Sequence, residues 1–113
     1  MIDYDYTPDN WVVIKITHVG SEPVYKVLAG WSGGYAFGDA WRLNSGIVEV
    51  EEDSDAWHFY GHSGSCYVCG KGRYGMRMNI AFIWEQFKEN AVRKNFKAEI
   101  MDEDTYWRDL VKT

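Results

Sequence analysis

The sequence predicts an α+β fold, in which an antiparallel meander sheet of four or five strands packs against one long and one short C-terminal helix. Strand-like apolar runs separated by Gly, Pro and Ser continue to residue 70, and after Gly75 the apolar spacing changes from two residues to nearly four. Strands followed by helices are typical of α+β domains. A length of 113 residues predicts one domain over residues 1–113, with a loose N-terminal segment over residues 1–8.

The first two strands are predicted over residues 11–17 and 24–31, because β-branched and aromatic residues dominate both runs. Gly20 and Pro23 interrupt the pattern between them and indicate a turn, so the two strands form a hairpin. A glycine-rich segment over residues 32–39 follows. Two short apolar runs, over residues 41–43 and 47–50, then lead to an acidic corner, and residues 56–61 and 66–70 are predicted to form a further hairpin-like pair.

The long helix is predicted to follow Asn79, which is a suitable N-cap residue. Its apolar side chains recur with the period of one helix face. A shorter helix is predicted near Asp102, where three acidic residues suit the positive end of a helix dipole. The apolar stripes consist of Ile80, Ile83, Trp84, Phe87 and Ala91 in the first helix, and of Tyr106, Trp107, Leu110 and Val111 in the second.

Composition excludes several functional classes. A net charge of −5 argues against sequence-independent DNA binding over the whole surface, because that mode depends on clustered Lys and Arg. The N-terminus lacks a secretory signal and no apolar run reaches membrane-spanning length, so we expect a cytoplasmic protein that does not associate with membranes. Two cysteines exclude a disulfide framework, and we expect both to be thiols.

Two similar glycine phrases occupy residues 30–34 (GWSGG) and 61–65 (GHSGS). Such phrases serve either a tight turn or the close approach of a ligand, and the sequence leaves both alternatives open. The first phrase also fits the G-x-S-x-G pattern of a nucleophile elbow around Ser32. That elbow requires a strand before it and a helix after it in a parallel α/β sheet, which this chain does not offer, so we expect no catalytic serine.

A zinc site is the next alternative, with His58, His62, Cys66 and Cys69 as candidate ligands. The C-x-x-C-G-K spacing resembles a zinc knuckle, but structural zinc sites draw their ligands from two well-separated pairs. The two sulfurs would also point to opposite faces if residues 66–69 form a strand. We therefore expect no metal, and zinc remains the less favoured cofactor.

A turn at Ser63 and Gly64 would place His58 opposite Cys69 and would align Tyr60 with Tyr67 on the same face. This register raises the possibility of a Cys–His dyad, since a neighbouring imidazole can activate a thiol. No residue that would orient the imidazole is identifiable in the sequence. The expectation is accordingly a protein that is not an enzyme.

Binding through aromatic and glycine-rich loops is the favoured function. Aromatic residues make up 17% of the chain, more than a core of this size needs, and Trp, Tyr and Arg dominate binding at protein interfaces. The alternative is a nucleotide, short-RNA or zinc site centred on residues 58–77, where Gly-Ser-Gly amides adjoin a basic segment. Homodimerisation is also open. The candidate binding residues are Trp31, Tyr35, Trp41, Arg42, Tyr60, His62, Tyr67 and Arg73.

The central part of the chain resembles a group of small, uncharacterised proteins encoded by tailed bacteriophages. The similarity lies in residues 27–35 (VLAGWSGGY), 38–47 (GDAWRLNSGI) and 61–71, with Tyr74-Gly75-Met76 further on. It covers about the middle two-thirds of the chain. The resemblance implies no catalytic residue. It implies a small accessory protein, similar to phage early proteins, that binds a host macromolecule, in the first place a protein, in the cytoplasm of the infected cell.

Overall fold

The structure, a computed structural model, describes residues 5–31 and 40–111. These residues form eight strands, one α-helix and two short 3-10 turns. The strands are β1 (Asp5–Tyr6), β2 (Asn10–Thr17), β3 (Val24–Trp31), β4 (Ala40–Leu43), β5 (Ile47–Glu52), β6 (Ala56–Gly61), β7 (Cys66–Gly70) and β8 (Lys97–Ile100). The helix is α1 (Met78–Lys94), and the 3-10 turns are Lys71–Arg73 and Trp107–Leu110.

The described strands divide into two sheets of four. Sheet 1 has the order β4-β3-β2-β8, and sheet 2 has the order β1-β7-β6-β5. All neighbours are antiparallel except β1 and β7, which run parallel. The α+β class and the long helix are confirmed, but the single meander of four or five strands is wrong, because the chain leaves sheet 1 after β4 and builds a second layer.

Strand β2 explains why two layers are needed around sheet 1. Successive side chains of a strand point to opposite faces, and β2 is apolar at nearly every position. Trp11 and Val13 pack towards Phe59 and Tyr67 of sheet 2, whereas the alternate residues of β2, such as Ile14, pack on the side covered by α1. The domain therefore has three layers: sheet 2, sheet 1 and the helix.

An aromatic cluster fills the space between the two sheets. The Trp11 ring lies 4.7 Å from Tyr74, 5.4 Å from Phe59 and 5.6 Å from Trp107, measured between ring centroids. The indole N–H of Trp11 donates to the carbonyl of Gly70 at 2.8 Å, so the polar edge of the buried ring is satisfied. This cluster joins both sheets to the C-terminal segment.

The predicted short C-terminal helix is wrong, because its residues form only the 3-10 turn Trp107–Leu110. Of the predicted apolar stripe, Trp107 is buried whereas Tyr106 is exposed. A helix of so few residues has little stability of its own, and the insertion of Trp107 between the sheets decides the local backbone instead. The segment before it is held by a bond from the Met101 N–H to the Val13 carbonyl at 2.9 Å.

The ends of α1 differ in part from the prediction. The helix begins at Met78 with Arg77 at the N-cap position, so Asn79 lies in its first turn. It ends at Lys94, and the C-cap residue Asn95, with a left-handed φ of 62°, turns the chain into β8, a strand that the sequence did not predict. No helix in the described ranges is long and apolar enough to cross a membrane.

The N-terminal segment, expected to be loose over residues 1–8, is packed where the structure describes it. Asp5 and Tyr6 pair with Cys66 and Tyr67 of β7, and Pro8 is fully buried. The chain therefore covers the outer edge of β7 before it enters sheet 1.

Candidate functional site

The second glycine phrase forms the loop between β6 and β7. The Gly61 N–H donates to the Ser65 carbonyl at 2.8 Å, and Gly64 has a φ of +98°, a conformation that glycine adopts without strain. The loop thus contains three residues, 62–64, instead of the predicted two-residue turn at Ser63 and Gly64. Since an odd loop length shifts the strand pairing by one residue, Tyr60 lies opposite Cys66 and not opposite Tyr67.

The amides of this loop are used within the protein. The N–H of His62 donates to the Gly46 carbonyl at 2.9 Å, that of Ser63 to the Ser45 hydroxyl at 2.9 Å, and that of Gly64 to the Gly61 carbonyl at 3.0 Å. Together with the Gly61 N–H, four successive donors are therefore directed inwards. An anion site built from these amides, as the nucleotide alternative requires, is not available in this geometry.

Gly61 also permits a close approach of two chain segments. A Cβ atom at this position would lie 3.0 Å from the Ser45 hydroxyl oxygen and 3.3 Å from Nδ2 of Asn44. The absence of a side chain lets the connection between β4 and β5 pack against the β6–β7 loop. For the second phrase, the glycines thus serve a turn and a chain contact.

The alternative of a Cys–His dyad, which required His58 opposite Cys69, does not fit the observed register. His58 lies opposite Val68, and Cys69 lies opposite Trp57 on the core face. The Cys69 side chain has no exposed surface, and its burial raises the pKa of the thiol well above its ordinary value. Cys69 is consequently a core residue, and an imidazole on the other face of the sheet cannot activate it.

His58 instead contacts the acidic corner that follows β5. Its Nε2 lies 2.7 Å from Oδ2 of Asp53, and Oδ1 of Asp53 accepts the N–H groups of Asp55 and Ala56, both at 2.8 Å. The hydrogen bond with His58, followed by the two backbone bonds, lowers the pKa of Asp53 to about 2. His58 and Asp53 stabilise the turn between β5 and β6.

The four candidate zinc ligands do not converge. Cys66 and Cys69 lie on opposite faces of β7, and His58 is bound to Asp53. His62 lies exposed in the loop. Within residues 5–31 and 40–111, no group of three or more His, Cys, Asp and Glu side chains is arranged to hold a metal ion.

The predicted anchors of the first loop have different environments. The indole N–H of Trp31 donates to the Thr7 carbonyl at 2.9 Å, and its half-buried ring packs against the core. The guanidinium of Arg42 lies 4.5 Å above the Tyr6 ring. Trp41 is 49% exposed, although it belongs to a strand. Tyr35 lies outside the described residues.

The remaining predicted anchors are largely engaged within the protein. Tyr67 is buried in the core, and this burial raises its pKa to about 12. The Tyr60 hydroxyl donates to Oε1 of Glu51 at 2.7 Å, a bond that raises the pKa of Tyr60. Arg73 is exposed, with Nη1 3.4 Å from the Asp9 carbonyl oxygen.

The basic segment that follows β7 is engaged in part. Lys71 Nζ lies 2.6 Å from Oε2 of Glu52 and 5.4 Å from the centre of the Trp57 ring. Arg73 and Arg77 of the same segment are exposed.

Three depressions share lining residues with one another, and together we call them the end groove. The first, of about 140 Å³, is lined by Ile14, Leu28, Trp41, Leu43, Ile83, Gln86, Phe87 and Asn90. The second, of about 410 Å³, is lined by Ile16, His18, Val24, Lys26, Ser45, Phe87 and Phe96. The third, of about 320 Å³, is lined by Pro23, Val24, Tyr25, Ser45, Gly46, Ile47, Val48, His62 and Leu110.

Shared walls connect these depressions. Phe87 borders the first and the second, and Val24 and Ser45 border the second and the third. Trp41 lines the first depression and His62 lines the third, and these are two of the predicted binding residues. Sequence patterns did not single out Val24 or the ring of Phe96 as binding residues, because the groove draws its walls from strands and a helix that are distant along the chain.

No protein family model matches the chain, and the comparisons with curated proteins and with solved structures find no match.

Proposed function

We propose that this chain is a non-enzymatic accessory protein that binds an extended segment of another protein in the end groove. The observation that carries the proposal is a set of three depressions that share lining residues and include Trp41 and His62 in their walls. A half-exposed tryptophan on a short edge strand is a suitable anchor, since Trp and Tyr carry much of the energy of protein interfaces.

The chemistry of the groove suits a polypeptide. Its walls are mainly apolar, and a few polar groups such as Gln86, Asn90 and Lys26 are placed where they can bind a backbone. The first depression, with about 140 Å³, is close in size to a cavity of about 150 Å³ that accepts benzene in another protein. It fits one ring-sized side chain of the partner, and the two further depressions suit the residues that follow.

The proposed partner is a host protein, and the proposed compartment is the cytoplasm of the host cell. The resemblance of the central residues to phage-encoded proteins supports both statements. The alternative of a nucleotide or zinc site centred on residues 58–77 gains no support from the described residues, because the loop amides are bonded internally and the candidate metal ligands lie apart.

Selection of a random peptide library on the immobilised protein tests the proposal. Enriched peptides should share an aromatic or large aliphatic residue, and a Trp41→Ala variant should bind them at least about tenfold more weakly, which corresponds to about 1.4 kcal/mol. Val92→Ala is the matched control, because Val92 is 84% exposed on α1 and does not line the groove. A library without enriched peptides, or equal binding by Trp41→Ala, would contradict the proposal.

Sedimentation of the wild type and of Trp41→Ala completes the test. A dimer that dissociates in the variant would show that a second copy of this chain occupies the groove. A monomer in both cases leaves the groove accessible to the partner that we propose.

A further inference from the structure

The edge of sheet 2 formed by β5 presents unpaired backbone groups. Within the described residues, β5 pairs with β6 on one side and with no strand on the other. The Asp53 N–H donates to the Ala56 carbonyl at 3.0 Å, and bonded pairs alternate along an antiparallel ladder. The same alternation directs the backbone groups of Glu51 towards β6, and directs the N–H and C=O of Val50 and Glu52 away from the sheet.

The same edge has a strong negative charge. Five of the seven residues in the segment 49–55 (EVEEDSD) are acidic, and none is basic. Glu52 forms an ion pair with Lys71, and Asp53 is hydrogen-bonded to His58. Glu49 and Glu51 are exposed on one face of β5, and no ion pair among the described residues neutralises them.

Strand β5 also continues directly from the end groove. Ile47 and Val48, its first two residues, line the third depression, and Val48 is 48% exposed. The pairing of β5 with β6 is irregular between Ile47 and Glu49, at the part of the strand that lines this depression. The third depression and the free edge therefore have the first two residues of β5 in common.

We infer that β5 binds a basic, extended peptide segment as an additional strand of sheet 2. Lys or Arg side chains at alternate positions of that segment lie opposite Glu49 and Glu51, while its backbone bonds to Val50 and Glu52. An apolar residue at one end of the segment occupies the third depression. The inference rests on the proposed function, because it names the chemistry of the partner at the third depression of the groove.

A second copy of β5 is not the occupant. Two β5 strands would bring glutamates of like charge opposite one another, and charged residues and bulges on an edge strand disfavour such self-pairing. The same carboxylates that oppose self-association favour a cationic strand. Charge therefore selects the partner at this edge.

Amide hydrogen exchange of the full chain, followed by NMR, tests the inference with the probe peptide acetyl-LTKTKTK-amide. In the free protein, the amides of Val50 and Glu52 should exchange rapidly and those of Glu49 and Glu51 slowly. The peptide should slow the exchange at Val50 and Glu52, and its affinity should fall as salt concentration rises. The acidic analogue acetyl-LTETETE-amide should have no effect at about 1 mM.

Two substitutions of Glu52 separate the backbone contribution from the charge. Glu52→Pro deletes the outward N–H and leaves the β5–β6 ladder intact, since proline is tolerated where the amide of an edge strand faces solvent. Glu52→Ala removes the same carboxylate and keeps the N–H. We expect Glu52→Pro to bind the basic peptide at least about tenfold more weakly than Glu52→Ala does.

Charge reversal provides a variant that does not alter the backbone. Glu49→Lys should lower the affinity for the basic peptide and raise the affinity for the acidic one. The inference is overturned if LTKTKTK does not bind, if it binds without slowing Val50 and Glu52, or if Glu52→Pro and Glu52→Ala bind alike. If library peptides bind in a way that depends on Trp41 but LTKTKTK does not bind, the proposed function stands and only this inference is overturned.

Discussion

Trp107→Ala should destabilise the domain by about 3–5 kcal/mol, the usual cost of removing a large buried aromatic side chain. Trp107 is 2% exposed, and its ring centroid lies 5.4 Å from Tyr74, 5.6 Å from Trp11 and 6.0 Å from Phe59. Domains of this size have a free energy of unfolding of about 5–15 kcal/mol, so the loss is a large part of the total. The contacts belong to both sheets, and the cavity would therefore open in the centre of the core.

Urea unfolding followed by circular dichroism measures this loss, with Tyr106→Ala as the matched control. Tyr106 is the adjacent residue and is 54% exposed, with one edge-on contact to Trp57 at 6.4 Å. Its truncation should cost less than about 1 kcal/mol. If Trp107→Ala costs no more than Tyr106→Ala, the C-terminal 3-10 turn is not part of the core and the packing argument is wrong.

Three further predictions concern single side chains. The pKa of Asp53 is lowered from 3.8 to about 2 in the folded protein, so the stabilisation by its carboxylate is present above pH 3.8 and is lost as the pH falls through about 2. In a plot of Tm against pH, Asp53→Asn should therefore show a smaller change of Tm over this range than the wild type. Parallel curves for the two proteins would contradict the role of Asp53. Cys69 should resist alkylation by iodoacetamide at neutral pH until denaturant is added, because its thiol is buried. Peptide mass spectrometry measures the labelling. Labelling of Cys69 in the native protein would contradict its burial. Asn44→Ala should lower the free energy of unfolding in urea by about 1–3 kcal/mol, because Oδ1 of Asn44 accepts the buried Val27 N–H at 2.8 Å. A loss below about 0.5 kcal/mol would show that the Val27 N–H finds another acceptor in the variant.

The local strands and the long helix were predictable because their signals are local. The strand predicted over residues 24–31 matches β3, and those predicted over residues 56–61 and 66–70 match β6 and β7. Of the predicted helix stripe, Ile80 and Ala91 are buried. Apolar period and turn residues determine such elements with little help from the rest of the chain.

The division into two sheets was not predicted, although one signal for it exists. Residues 11–14 (WVVI) are apolar without alternation, which is typical of a strand that is covered on both faces. A single sheet with helices on one side would leave Trp11 and Val13 in water. The correct conclusion from this run is a second layer, and sheet 2 provides it.

Other features depend on contacts that no local pattern contains. Residues 97–100 (KAEI) include Lys, Ala and Glu, which are uncommon in strands, and they become β8 because the edge of β2 is available. In the candidate site, too, the pairing of the strands could not be predicted from the local pattern. The loop of residues 62–64 has one residue more than the predicted turn, and this single residue moved His58 away from Cys69.

The position of β8 has a consequence for the nascent chain on the ribosome. Lys97 pairs with Thr17, so 80 further residues must be synthesised before this edge of β2 can pair with β8. At a synthesis rate of about 5–20 residues per second, this interval lasts about 4–16 s. During that time the β2–β3 hairpin carries an open, strongly apolar strand edge, which is a template for pairing with another chain.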